Sequence, residues 1–460
     1  MLGKLALPEV RELIAEGDFD TLRDVLNTWL PADLAALLSR LDATERSQLF
    51  AVFGTHQAAE TFEYLELSFQ QELLASLSDV DAAAVLNDMA PDDRTALFEE
   101  LPQEIVARLM PLLSTEQQAV TRSLLSYGKN TVGRLMTPDY IAVKREWTVK
   151  HVLDHVRNHG KDSETLNVLY VTDVDNRLID DLRIRELLLA PLHEHVTALL
   201  DNQFIALIVT DDKRKAVDMF RKYDRTTLPV VDTHGFLMGI VTIDDVLDVA
   251  EKEATREIQR LGGLEALDEP YAATPLLVMV RKRASWLVIL FIGELLTATA
   301  MAYYEDEIAK AVVLALFVPL IISSGGNSGS QAATLIVRAL ALGEVRLRDW
   351  WRVMRREIAS GLMLGALLGS IGFARIALWS SVSDIYGPHW ALYGATVALS
   401  LVGVVTWGTL SGSMLPFLLK RLGFDPATSS APFVATLVDV TGLMIYFTVA
   451  MVVLRGTVLL

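Results

Sequence analysis

Beyond residue 284 the chain contains five apolar stretches, at 284–304, 311–340, 358–379, 390–419 and 431–454. A bilayer core asks for about 20 apolar residues per helix, and all five stretches reach that length. Hydrocarbon offers backbone groups no hydrogen-bond partner, so such segments must be helices. Charge divides the chain in the same place. Residues 1–130 hold 22 acidic against 9 basic side chains, residues 131–280 hold 26 against 18, and residues 281–460 hold 10 against 14. The expectation is an acidic soluble half followed by an apolar, slightly basic half. Arg281, Lys282 and Arg283 precede the first stretch. Five arginines from Arg346 to Arg356 separate the second and third, and Lys420 and Arg421 separate the fourth and fifth. Basic loops stay cytosolic, which predicts cytoplasmic N-terminal domains, an external C-terminus and a multi-pass protein of the cell (inner) membrane. The first twenty residues turn acidic before any apolar core forms, so no signal peptide is expected.

The soluble half reads as two regions. Residues 1–130 repeat a helix-pair pattern starting at Leu30, Leu77 and Leu101, which predicts an all-α helical superhelix. Residues 131–250 carry two copies of strand–helix–strand–strand–helix. The second copy, with LPVVD, a turn and GIVTIDDVLD, resembles a CBS domain, and the first is a more divergent copy. That resemblance implies an adenine nucleotide such as ATP at Thr242 and Asp245, whose counterparts in the first copy are Arg183 and Glu186. Residues 251–280 then read as a connecting helix that stops at Gly262-Gly263, before the transmembrane domain of 281–460. An acidic surface argues against nucleic acid and suits a cation. With no cysteine there is neither a disulfide nor a thiolate metal site. No P-loop, nucleophile–base set or zinc signature appears, so an enzyme is not expected.

Two features inside the apolar half point to chemistry. The run SSGGNSGSQAAT at 323–334 interrupts the second stretch with glycines and polar side chains. The second and fourth stretches exceed one bilayer crossing. They must tilt, kink or unwind, with the break expected at Pro319, Gly325, Gly326 and Gly329 and at Gly412 and Pro416; unwinding would free carbonyls along a wet cavity. The competing reading is close small-xxx-small packing through Gly325 and Gly329. Asp439 lies mid-span among apolar neighbours, and Glu294 is a second intramembrane carboxylate. A carboxylate at that depth costs several kcal/mol and marks an ion path, or else a structural pair with Arg338 or Arg375. The donors are carboxylate, hydroxyl, amide and carbonyl oxygens, which suit a hydrated Mg²⁺ over softer metals.

Together, PLIISSGGNSGSQAATLIVRALALGEV and APFVATLVDVTGL resemble the MgtE family of magnesium channels/transporters, and the domain order matches over essentially the whole chain. The resemblance implies a homodimer in the lipid bilayer that conducts Mg²⁺ into the cytoplasm down its electrochemical gradient. It also implies cytosolic domains that bind Mg²⁺ and close the pore when internal Mg²⁺ is high. Asp439 would then select the hydrated ion, flanked by Ala435 and Gly442, with Asn327, Ser330 and Thr334 lining the opposite side. The family often has Asn where this chain has Ser330. Asp224, Asp245, Asp248, Glu253, Glu257 and Asp425 match acidic sensor positions, whereas Arg214 and Arg256 stand where the family often has carboxylates. Basic residues there imply a weaker sensor or direct salt bridges in its place. Two alternatives stay open. A Na⁺- or H⁺-coupled divalent-cation carrier would use Asp439 or Glu294 as the coupling group. A membrane-anchored sensor would have no use for a mid-span aspartate.

Overall fold

The computed structural model describes residues 7–267, 271, 274–428 and 430–457. These fall into two compact units, 1–251 and 252–460.

The first unit opens with ten helices: α1 (Leu7–Glu16), α2 (Phe19–Leu26), α3 (Pro31–Leu38), α4 (Ala43–Phe50), α5 (Thr55–Glu63), α6 (Leu67–Ser76), α7 (Asp79–Asp88), α8 (Pro91–Glu100), α9 (Gln103–Leu109) and α10 (Thr115–Ser126). Side-chain caps start several of them. Asp42 closes a capping box on α4, and Ser78 and Ser114 cap α7 and α10. The helices enclose one leucine-rich core from Val10 to Leu113.

A 24-residue repeat holds this stack together. Arg46, Gln70, Arg94 and Gln118 each donate a side-chain hydrogen bond to the carbonyl eight residues earlier, at Leu38, Phe62, Leu86 and Met110. Those carbonyls lie at or just beyond the ends of helices, where intrahelical donors run out. Arg46 also reaches the Leu41 carbonyl and Arg94 the Met89 carbonyl. A long polar side chain is thus drawn in once per repeat, fully buried at Arg46, Gln70 and Arg94 and half-buried at Gln118, because a helix end needs its donor.

Two α/β modules follow. In the first, β1 (Ala142–Lys144) runs parallel to β2 (Val168–Thr172), which pairs antiparallel with β3 (Leu178–Arg183). The helices are α11 (Val149–His159) and α12 (Ile184–Leu189). The second module repeats this with β4 (Leu207–Ile208), β5 (Thr227–Val231), β6 (Leu237–Thr242) and α13 (Lys213–Tyr223). Each central strand is buried on both faces, because helices and the other module cover it. Val168, Tyr170, Leu178, Val231, Leu237 and Ile240 form a core shared by both sheets. Arg134 ties the helical region to this pair by donating to the Leu125 carbonyl and pairing with Glu99.

The connecting helix departs from its expected bounds. It is α14 (Ile243–Leu261), so it begins inside the second module directly after β6. Residues 268–270, within the expected connecting segment, lie outside the described residues.

The second unit contains five helices long and apolar enough to cross a membrane. They include α15 (Leu276–Tyr303), followed by the short α16 (Glu305–Lys310) and α17 (Val312–Ala315), then α18 (Val318–Ala341), α19 (Trp350–Ser380), α20 (Trp390–Arg421) and α21 (Ala431–Val453). The expected unwinding of the polar run is absent: α18 is a continuous helix through Gly325, Gly326 and Gly329. The fourth stretch likewise stays helical through Gly412 and Pro416. The break in the second stretch lies upstream, between α17 and α18, with Pro319 in the first turn of α18. Proline tolerates that place because first-turn amides have no intrahelical partner. The Tyr446 hydroxyl donates to the Leu314 carbonyl at this break, over 2.8 Å.

Candidate functional site

The polar run divides by face. Gly325, Gly326, Ser328, Gly329, Ala332 and Ala333 are buried, whereas Ser323, Asn327, Gln331, Thr334 and Arg338 are exposed at helical spacing. The close-packing reading therefore holds on the buried side, while the exposed side carries the polar side chains on an unbroken helix.

On the buried side the glycines let backbones meet. A Cβ added at Gly412 would sit 2.0 Å from the Gly329 carbonyl oxygen, and one at Gly408 would sit 2.4 Å from that of Gly325. Two small-xxx-small pairs, Gly325/Gly329 and Gly408/Gly412, thus bring α18 and α20 together. A Cβ at Gly325 would also strike Val438 on α21 at 2.8 Å. This close approach lays α21 against the same helix. A Cβ at Gly326 would lie 3.7 Å from an Asp439 carboxylate oxygen and 3.5 Å from the Ala435 methyl. Asp439 and Ala435, one turn apart, therefore face the glycine beside Asn327.

The remaining expected residues sort differently. Ser330 donates to the Ala431 carbonyl at 3.0 Å, holding the start of α21. The Thr334 hydroxyl donates back to the Ser330 carbonyl, and Asn327 reaches Ser323. Gly442 is buried and turned toward Val404 of α20, 3.0 Å from the position of its absent Cβ. Glu294 of α15 reaches the Asp439 carboxyl within side-chain hydrogen-bonding range. The neighbouring Gly293 lets α15 close on Thr436, 3.0 Å from its absent Cβ. Asp439 is thus approached by a carboxyl and a glycine backbone, not by Arg338 or Arg375.

The cytosolic carboxylates form two sets. In the first unit, Thr242 donates to Asp245 at 3.0 Å. Asp245 also meets Asp92, whose Oδ1 is buried and has no hydrogen-bond partner among the described residues. Asp92 and Asp93 open α8, and Asp244 and Asp245 open α14, so two acidic helix N-termini confront each other. Burial, then the charge of Asp93, pushes Asp245 up to about 7. Burial, then Asp244 and Asp248, pushes Asp93 to about 6. Burial, then Asp245, holds Asp92 well above the carboxylate range. Glu63 is pushed by burial, then Asp93, to about 7, while burial and Asp244 raise Glu164. Like charges gathered in a poorly solvated place produce all these shifts in one direction. Asp92, Asp93, Glu63, Glu164 and Asp244 were not singled out from the sequence. The only sequence signal was the pair of Asp-Asp dipeptides at helix starts. Asp224, by contrast, ends α13 in a left-handed conformation with its carboxylate exposed.

In the second unit Glu253 pairs with Arg256 at 2.9 Å and Asp425 with Arg260 at 2.6 Å. Direct salt bridges thus occupy two expected sensor positions. Glu257 is exposed on α14. Arg214 is held by Asp212 at the start of its own helix. Among the described residues no three His, Asp or Glu side chains converge closely enough to hold a bare metal ion.

Comparison with known proteins identifies the domains that carry these residues. A model described as "MgtE intracellular N domain" matches residues 29–130 and one for the CBS domain matches 132–193 and 196–252. The MgtE "Divalent cation transporter" model matches 318–449. The magnesium transporter MgtE of Thermus thermophilus is 37% identical over 459 residues, covering 99% of this chain and 100% of that protein. The magnesium transporter MgtE of Bacillus subtilis is 28% identical over 438 residues, 95% of each. Among solved structures, the cytosolic domain of the Mg²⁺ channel MgtE in complex with ATP is 33% identical, with a TM-score of 0.51 over 53% of this chain and 99% of that one. The soluble part of a magnesium transporter is 25% identical, with a TM-score of 0.52 over 55% and 99%. With a helical N domain, a CBS pair, five membrane-length helices and a relative sharing 37% of its residues along nearly the full length, the chain belongs to the MgtE family of magnesium transporters.

Proposed function

We propose that the protein conducts hydrated Mg²⁺ into the cytoplasm down its electrochemical gradient, as a homodimer whose cytosolic domains close the pore at high internal Mg²⁺. The observation that carries this reading is Asp439, set over Gly326 beside the exposed stripe of Ser323, Asn327, Gln331 and Thr334. A polar stripe at membrane depth is costly unless it meets another polar surface. A second copy across a two-fold axis supplies one and doubles the carboxylate, which suits a divalent ion in its water shell. Asp439 selects the ion by charge at the distance of its hydration shell. Asn327 and Thr334 offer oxygen and amide groups to that shell, and Ser330, Ala435 and Gly442 set the helix spacing around it.

Gating rests on the carboxylates at the facing starts of α8 and α14. Without Mg²⁺ their mutual repulsion favours an open arrangement of the helical region and the second module. Mg²⁺ neutralises Asp92, Asp93, Asp245 and Asp248, with Asp224, Glu253, Glu257 and Asp425 contributing further along the chain. The pore closes to the extent that Mg²⁺ prefers the compact state. Thr242 and Asp245 also hold the positions of a CBS nucleotide site, so ATP binding and Mg²⁺ sensing share Asp245. The basic loops put these domains, and the closing ion, on the cytoplasmic side, with the C-terminus outside.

Asp439→Ala is the test. It should abolish Mg²⁺ uptake in a Mg²⁺-auxotrophic host while the purified protein keeps its wild-type elution volume. Full growth supported by that variant would overturn the pore assignment. The Glu294–Asp439 contact favours a second reading, a proton-coupled carrier. Uptake into liposomes that follows an imposed pH gradient, with no single-channel current, would select that reading.

A further inference from the structure

Three of the chain's eight histidines lie on one face of α11, four residues apart: His151, His155 and His159. The ion path and the acidic cluster use none of them. Trp147 meets the His151 ring edge-on at 4.4 Å and the His155 ring at 5.0 Å. The rings of His155 and His159 stack 4.4 Å apart with an interplanar angle of 30°. Imidazoles one turn apart on an exposed helix face bring their outer nitrogens onto one cation by rotating out of this stack. The His159 Nδ1 lies 3.1 Å from the His155 carbonyl oxygen. A neutral His159 donates its Nδ1–H there, which leaves the Nε2 lone pair facing outward. A backbone carbonyl fixing the tautomer in this way is the usual support of a metal-binding imidazole. Asp154, on the same helix, is engaged by Arg157 at 3.1 Å and does not neutralise the histidine face.

We infer that the His155–His159 pair is a surface site for a borderline divalent transition cation of the Zn²⁺, Ni²⁺ or Cu²⁺ class, bound through two Nε2 atoms and completed by water. Histidines four apart on one helix face form the two-imidazole half of many zinc sites. Imidazole suits these ions and is a poor ligand for Mg²⁺, so the site is chemically separate from the carboxylate cluster. It is a two-histidine site because no third His, Asp or Glu converges on it among the described residues. His151 belongs to the face through Trp147, as a positioning residue and not a ligand.

Trp147 provides the readout, since a bound Cu²⁺ one turn away quenches indole fluorescence. The full-length protein in detergent, free of any affinity tag, is titrated with CuCl₂ in millimolar Mg²⁺ to keep the carboxylates occupied. Wild type should show micromolar quenching that is absent in Trp147→Phe and reversed by Zn²⁺. His155→Ala/His159→Ala should weaken binding by about tenfold or more. His151→Ala should weaken it by less than about threefold, because it removes no ligand. Circular dichroism and Mg²⁺ uptake should match wild type in all variants, since the face lies outside the ion path. Quenching unchanged in the double histidine variant would overturn the inference, and so would competition by added Mg²⁺ in place of Zn²⁺.

Discussion

Replacing Asp92 and Asp245 together by asparagine should stabilise the cytosolic region at neutral pH without Mg²⁺. Moving the Asp245 carboxyl from 3.8 to about 7 means that folding opposes its ionisation by three decades. At ~1.4 kcal/mol per decade, this is a penalty of ~4 kcal/mol on the ionised native state. Asp92 and Asp245 share one site, so the double variant relieves one repulsion. The sign follows from proton binding. Between 3.8 and about 7 the folded state holds protons that the unfolded chain releases, so stability falls as pH rises through that window and stays low above it. Acidification should therefore stabilise wild type, and asparagine should weaken that pH dependence, leaving the part due to Asp93 and Glu63. For a region of this size, ~4 kcal/mol corresponds to a shift in melting midpoint of roughly 10 °C. Thermal unfolding of the full chain, followed at pH 7.5 and pH 5.5 with and without Mg²⁺, measures this. The variant should melt well above wild type at the higher pH, and the gap should narrow to roughly half at the lower pH and close when Mg²⁺ is added. Equal midpoints for both proteins at pH 7.5 without Mg²⁺ would refute the buried-repulsion account of the sensor.

Other outcomes follow from single contacts. Gly412→Ala places a methyl 2.0 Å from the Gly329 carbonyl. It should force α18 and α20 apart by more than an ångström at a cost of about 3 kcal/mol, read as a lowered melting midpoint and lost uptake. Gly372→Ala meets only side chains at 3.2 Å or beyond, and should cost less than about 1 kcal/mol in the same assay. Arg94→Met leaves the carbonyls of Leu86 and Met89 without their donor. It should destabilise the helical stack by about 3 kcal/mol in urea titrations monitored by circular dichroism. Arg260→Ala breaks an exposed pair that contributes under about 1 kcal/mol to folding. The freed Asp425 should nevertheless lower the internal Mg²⁺ that halves channel current, measured in patches.

The sequence by itself determined what depends on local pattern and solvent. Five apolar stretches can satisfy their backbones in a bilayer only as helices. Period-two strands with turn residues specify two α/β modules, and carboxylates at mid-span stand out as costly positions. What it could not carry was direction around a helix once glycine had removed the side chain that would mark a face. Gly325 and Gly326 are adjacent in sequence. One abuts Val404 and Val438, the other lies against Asp439, and only the packing of α18 against α20 and α21 separates those roles. The expected unwinding failed for the same reason. Glycine permits a break, but neighbouring backbones at van der Waals distance hold the straight helix. The 24-residue spacing from Arg46 to Gln118 was present in the sequence yet unmarked, because arginine and glutamine read as surface residues until a helix end is seen to need their donors. Asp92 and Asp245 lie 153 positions apart. Tertiary structure alone made them neighbours, and burial with like charge turned ordinary helix-start aspartates into carboxyls reluctant to ionise.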